Sequence, residues 1–87
     1  MTHEIKILET FADAVANGEK TFEVRENDRG YQKGDLIHFK VVDKHGWEIY
    51  GQPLSVMVFE ITYVLSGWGL KDNWVALAIR EVKGDKE

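Results

Sequence analysis

Four stretches in which apolar and polar residues alternate with a period of two, interrupted once by a helical period, constrain this chain more than any other feature. Residues 2–8 set Ile5 and Ile7 against Glu4 and Lys6, and residues 21–25 set Phe22 and Val24 against Thr21, Glu23 and Arg25. After the turn Lys33-Gly34-Asp35, Ile37, Phe39 and Val41 repeat the pattern, as do Val75, Leu77 and Ile79 within residues 74–82. Such alternation marks half-buried strands. Between the first two stretches, Phe11, Ala14 and Val15 fall at i, i+3 and i+4, the buried stripe of a short helix. Thr10 and Asp13 have the spacing of a capping box at its start. Asn17-Gly18 ends it, with Gly18 suited to the left-handed conformation after a helix. In residues 54–65, Val56, Met57, Val58, Phe59, Ile61 and Leu65 occupy both parities. Burial on both faces, or a bend that switches faces, produces such a run in a small barrel. Residues 26–30, 44–47, 51–53 and 66–69 read as loops and turns. The expected architecture is a single α+β, barrel-like domain over residues 1–87, with one helix inserted early into five or so strands.

Composition narrows the class. With 87 residues, 44% of them hydrophobic, the chain can bury roughly 60–65% of its unfolded surface, enough for one core. No run approaches the ~20 apolar residues of a membrane span. The first residues, Met1-Thr2-His3-Glu4, lack the basic-then-apolar pattern of a signal peptide. There is no cysteine, which removes disulfides, thiolate catalysis and Cys-based zinc sites and fits a cytoplasmic chain.

Net charge is −4, from 11 basic and 15 acidic residues. A non-specific duplex binder is usually basic, so that class is disfavoured. The cations are unevenly spread. Residues 18–45 are neutral overall, yet hold six of the 11: Lys20, Arg25, Arg29, Lys33, Lys40 and Lys44. An anion-binding site belongs there, unless the segment is simply a solvated mixed-charge surface.

Catalytic and cofactor motifs are sparse. His3, His38 and His45 are scattered, with no helical His or Glu pair to hold a cation, so no metal site is expected. Ser55 lies in an apolar run and Ser66 precedes a glycine, neither in a Gly-x-Ser-x-Gly turn. Gly67-Trp68-Gly69 lacks the strand-to-helix setting of a phosphate loop. No cofactor is expected.

The helix exit is different: Gly18-Glu19-Lys20-Thr21-Phe22-Glu23-Val24-Arg25 places an ammonium, a carboxylate and a guanidinium within six residues. Glu23 and Arg25 share a strand face, and Lys20 joins them if it lies in the turn before the strand. The cations can grip a phosphate or base edge while Glu23 accepts from an exocyclic amine. Alternatively, Lys20 beside a carboxylate can shuttle a proton. An ordinary surface ion pair is the third option.

Gly18-x-Lys20-x-x-Glu23-x-Arg25 is similar to the signature of the ASCH domain family, within the PUA-like superfamily. The chain looks most like the small bacterial and phage ASCH-like proteins grouped as a domain of unknown function. The preceding helix, the Lys33-Gly34-Asp35 turn, the strand ending Ile61-Thr62-Tyr63-Val64-Leu65, and Gly69-Leu70 before a last strand also fit. The resemblance implies a PUA-like β-barrel of about five to six strands and a cleft between barrel and helix. It also implies RNA, or a nucleotide or nucleoside, as the ligand. One ASCH branch hydrolyses the acetyl amide of N4-acetylcytidine with a Lys, a Thr and a Glu. Its lysine falls on Lys20, but its threonine nucleophile falls on Glu23. Thr21 has the right chemistry at the wrong offset, and Glu60 is the nearest candidate for the distant glutamate. Metal-dependent ribonuclease activity is also associated with ASCH proteins.

Three functions follow as expectations. In an RNA-binding module, Lys20 contacts a phosphate or base oxygen, Glu23 accepts from a base amine, and Arg25 pairs with Glu23 or a phosphate. Thr21 lies beside them, Arg29 and Lys33 add peripheral charge, and Tyr31 or Trp68, in Gly-flanked loops, stack on an unpaired base. Trp47, Tyr63 and Trp74 are expected to pack in the core or at its rim. In a small hydrolase, Lys20 and Glu23 form an acid/base pair with water as nucleophile. In a protein-docking accessory, the ion cluster is purely structural.

Overall fold

A computed structural model describes residues 1–83 of the chain. Five strands and one α-helix are formed among the described residues: β1 (Thr2–Leu8), α1 (Glu9–Ala16), β2 (Phe22–Glu26), β3 (Leu36–Val42), β4 (Val58–Ser66) and β5 (Trp74–Glu81), with a 3-10 turn at Pro53–Val56. The strands make one sheet in the order β1-β3-β4-β5-β2. β1 and β3 run parallel, while β3–β4, β4–β5 and β5–β2 are antiparallel. This is an α+β fold with the helix directly after the first strand. No ladder joins β1 to β2, so the sheet is not closed into a barrel. Among the described residues no helix is long and apolar enough to cross a membrane.

The period-two reading of β1, β3 and β5 holds. Ile5, Ile7, Ile37, Phe39, Val41, Val75, Leu77 and Ile79 are all buried in one core. Each contributes about 1.5–3 kcal/mol when fully removed from water. The 54–65 run divides in two. Its first part folds into the 3-10 turn, which buries Leu54. Its second part is β4, where a bulge between Ile61 and Tyr63 inserts Thr62. The bulge switches parity: Phe59 and Ile61 face the core before it, Val64 packs on the core after it, and Tyr63 is turned outward. The switch of faces is a single inserted residue.

Two helix expectations are corrected. Leu8, with no side-chain hydrogen bond, occupies the N-cap, so Thr10 and Asp13 form no capping box. Ala12 and Val15 are buried and Ala16 packs on the core, whereas Phe11 is half exposed. A helix of eight residues against one 3-10 turn, β1 and β3 buries only a narrow arc, and Phe11 lies outside it.

Tyr31 is the largest departure. It is 4% exposed in the core rather than presented by a loop, so it cannot stack on a base. Its ring meets His3 edge-on at 4.8 Å, and its hydroxyl has no hydrogen-bond partner among the described residues. Buried His3 places Nε2 2.8 Å from Oδ2 of Asp35, which also accepts from the Gln32 amide at 3.1 Å. The bond to His3, chiefly, holds the Asp35 carboxyl below its ordinary value near 3.8. A depressed acid stabilises the fold above its ordinary value, and that stability is lost as pH falls through the lowered one. Trp47 and Tyr63, expected to pack, are mostly exposed, because the first sits in the 43–47 turn and the second follows the bulge.

Asp35→Asn is expected to lower stability by about 1–3 kcal/mol through lost charge-assisted bonds. Urea melts should show the gap to the parent largest above about pH 5 and shrinking below pH 4. Tyr31→Phe removes an unpaired buried hydroxyl and should leave thermal stability unchanged or raised.

Candidate functional site

The end of α1 sets the site. Gly18 adopts φ +85°. Its amide donates to the Val15 carbonyl at 3.3 Å and that of Glu19 to Ala14 at 2.8 Å, the paired bonds of a Schellman cap. The Lys20 amide adds a third bond, to the Ala14 carbonyl at 2.9 Å. The chain therefore folds back under the helix, and the Lys20 side chain enters the gap between α1 and β2. A Cβ on Gly18 would meet nothing within 4 Å, so glycine is required there by φ alone.

Lys20, Glu23 and Arg25 meet as the signature suggests. Lys20 Nζ donates to Glu23 Oε1 at 2.5 Å and to the Phe22 carbonyl at 2.7 Å. It also lies 4.8 Å from the Phe22 ring centroid and 5.5 Å from that of Phe11. Arg25 Nη1 donates to Glu23 Oε2 at 3.2 Å and to the Lys6 carbonyl on β1 at 3.1 Å. Glu23 is 6% exposed. Its two oxygens are each held by a cation, which compensates the loss of water around a buried carboxylate.

This inverts the expected facing of β2. Glu23 points inward, while Phe22 and Val24, read as the core face, are 49% and 44% exposed. The reason is local: β2 is an edge strand, and Lys20 and Arg25 bracket Glu23 closely enough to bury its charge. Leu8 and Phe11, from β1 and α1, are similarly half exposed. Together these four apolar side chains and the three charged ones line an open recess of about 310 Å³.

A second recess, about 280 Å³, adjoins the first and shares Lys6 and Arg25 with it. Arg29 lines it and donates Nη1 to the Glu4 carbonyl of β1 at 2.5 Å. A third recess lies on the other side of Lys20, and Thr21 opens into that one rather than the first. Lys33 lines none of the three. Nor does Trp68, which is 89% exposed between β4 and β5 with φ +52°. Its ring is presented to solvent as expected, but outside the recess that holds the signature residues. Glu60 pairs with Arg80 at 2.6 Å. Among the described residues no three His, Asp or Glu side chains are grouped to hold a metal ion.

The sequence reading missed the apolar rim, Leu8, Phe11, Phe22 and Val24. Its signal lay in the charges: Glu23 has a cation at i−3 and another at i+2, the condition for turning a strand's acid inward and its apolar side out.

Double-mutant cycles should separate this arrangement from a surface ion pair. Lys20→Met with Glu23→Gln is expected to show a coupling above about 1 kcal/mol by denaturant unfolding, where exposed pairs give less. Gly18→Ala should cost about 1 kcal/mol.

A family model described as Domain of unknown function (DUF3850) matches residues 2–79. No curated protein matches the chain.

Proposed function

The chain belongs to the DUF3850 family, and we propose that it binds RNA, or a nucleoside-sized piece of it, in the recess between α1 and β2. One observation carries the reading: four half-exposed apolar side chains ring a buried carboxylate gripped by two cations. Exposed apolar clusters with convergent polar groups mark binding sites. Phe11 and Phe22 offer ring faces and edges to a base, a contact worth about 1–3 kcal/mol. The floor has the donors for the base's polar edge. Among the described residues Lys20 spends two of its three N–H groups on Phe22 and Glu23, and Arg25 bonds through Nη1 and not through Nη2 or Nε. The triad sums to +1 and Glu23 retains acceptor capacity, so both a carbonyl and an exocyclic amine can be met.

At about 310 Å³ the recess is at the small end of ligand sites, sized for one base rather than a helix. A net charge of −4 argues in the same direction, since long phosphate tracks need many cations. The ASCH and PUA-like reading is supported by the convergence of Lys20, Glu23 and Arg25 beneath the helix. It is further supported by the approach of β1 to β2 and the loop after it, bridged by Arg25 and Arg29 respectively.

Binding is favoured over amide hydrolysis by the same geometry. Thr21 and Glu23 open into different recesses, and Glu60 is engaged with Arg80. Among the described residues no hydroxyl side chain lines the first recess beside the Lys20–Glu23 pair.

Titration of the full chain with ribonucleosides and short single-stranded RNAs, followed by amide chemical shifts, tests the reading. Shifts should concentrate in residues 6–11 and 18–25. Phe22→Ala or Lys20→Met should weaken binding about 10-fold, which is about 1.4 kcal/mol. N4-acetylcytidine should bind without release of acetate; release would select the hydrolase. Shifts confined to the loop around Trp68, or none at all, would overturn the site.

A further inference from the structure

We propose that the second recess is a phosphate subsite, so that the ligand is a phosphate ester of a nucleoside, a mononucleotide or one link of a single strand, rather than a free nucleoside. This rests on the nucleobase reading of the first recess. The two recesses share Lys6 and Arg25, so a base in one brings its sugar-phosphate to the other. Four cations, Lys6, Arg25, Arg29 and Lys40, and one carboxylate, Glu4, line the second. Their sum, +3 (4 − 1), is concentrated at one place in a chain of net charge −4.

The cations are arranged rather than merely numerous. Lys6 and Lys40 are register partners on the adjacent parallel strands β1 and β3. Like charges set directly opposite across a ladder repel, and an anion seated between them removes that repulsion. Among the described residues Lys6 has no carboxylate within 4 Å, and the only one near Lys40, from Glu48, is at 4.0 Å. Among the described residues Arg29 is anchored to a carbonyl and pairs with no carboxylate, whereas Arg25 is also paired with Glu23. Arg29 Nη1 is tied to the main-chain oxygen of Glu4 and Arg25 Nη1 to that of Lys6. Among the described residues neither bonds through Nη2 or Nε. Such a fork is pre-organised for two phosphate oxygens.

Calorimetric titration of the full chain at low salt, using ribonucleosides, their 5′- and 3′-monophosphates, a dinucleoside monophosphate and inorganic phosphate, tests the subsite. A monophosphate should bind about 10-fold more tightly than its nucleoside, and added salt should erode that advantage. Lys40→Gln and Arg29→Gln should each remove most of it. Lys40 has a partly exposed side chain and no short bond, so its variant carries the test if the Arg29 variant fails to fold. A dinucleotide tighter than the mononucleotide marks a strand as the source of the phosphate, and the reverse order marks a free nucleotide. Equal affinity of nucleoside and nucleotide overturns the phosphate subsite and leaves the base site standing. Inorganic phosphate binding as tightly as the nucleotide overturns the base reading instead. Silence from every probe overturns both.

Discussion

A carboxylate taken out of water must be surrounded by compensating charge, and Glu23 sets that requirement on its whole neighbourhood. Its partners arrive from opposite directions along the chain. Lys20 is delivered by the turn at Gly18, which folds the backbone beneath α1. Arg25 comes from the same strand and is steadied by the Lys6 carbonyl across the seam. Each device holds a cation in place beside the acid. Apart from His3, which is paired with Asp35, Glu23 is the one buried polar or charged residue among those described. Losing one partner leaves a buried charge half compensated, a larger cost than the net gain of the pair itself.

The framework was legible because three strands obey a simple rule. In β1, β3 and β5 every second side chain enters the core, so the period alone locates Ile5, Ile37, Phe39, Val75 and Leu77. The rule fails where another force exceeds hydrophobic burial. In β2 it names Phe22 and Val24 as core, but the edge strand is turned by the electrostatics of Glu23. In β4 both parities are apolar, and only tertiary packing decides that Thr62 is the inserted residue. Tyr31 was misplaced for a related reason: a glycine beside a ring permits exposure, whereas the edge contact with His3 draws it inward.

The site was legible in part and for a chemical reason. Charges of opposite sign at i, i+3 and i+5 behind a helix-ending glycine report that three side chains can meet. Spacing cannot report what surrounds them. Leu8 and Phe11 come from other elements, and their place beside β2 depends on how the sheet curls. Lys40 joins Lys6 through the β1–β3 register, a relation spanning 34 positions that no local pattern encodes. Thr21 shows the converse: it neighbours Lys20 in sequence yet opens on the opposite side of that side chain.

The open seam explains why there are recesses here at all. Had β2 paired directly with β1, the carbonyls of Glu4 and Lys6 would bond to amides of the neighbouring strand and the recesses between them would vanish. Instead two arginines satisfy those carbonyls, at a reach of several bonds rather than one hydrogen-bond length. An unpaired sheet edge normally invites another strand, and charged side chains across it discourage that pairing. The same guanidiniums thus tie β2 and the loop after it to β1 and line the recess between them. Charge that bridges the open edge is, by position, charge that lines the recess beside it.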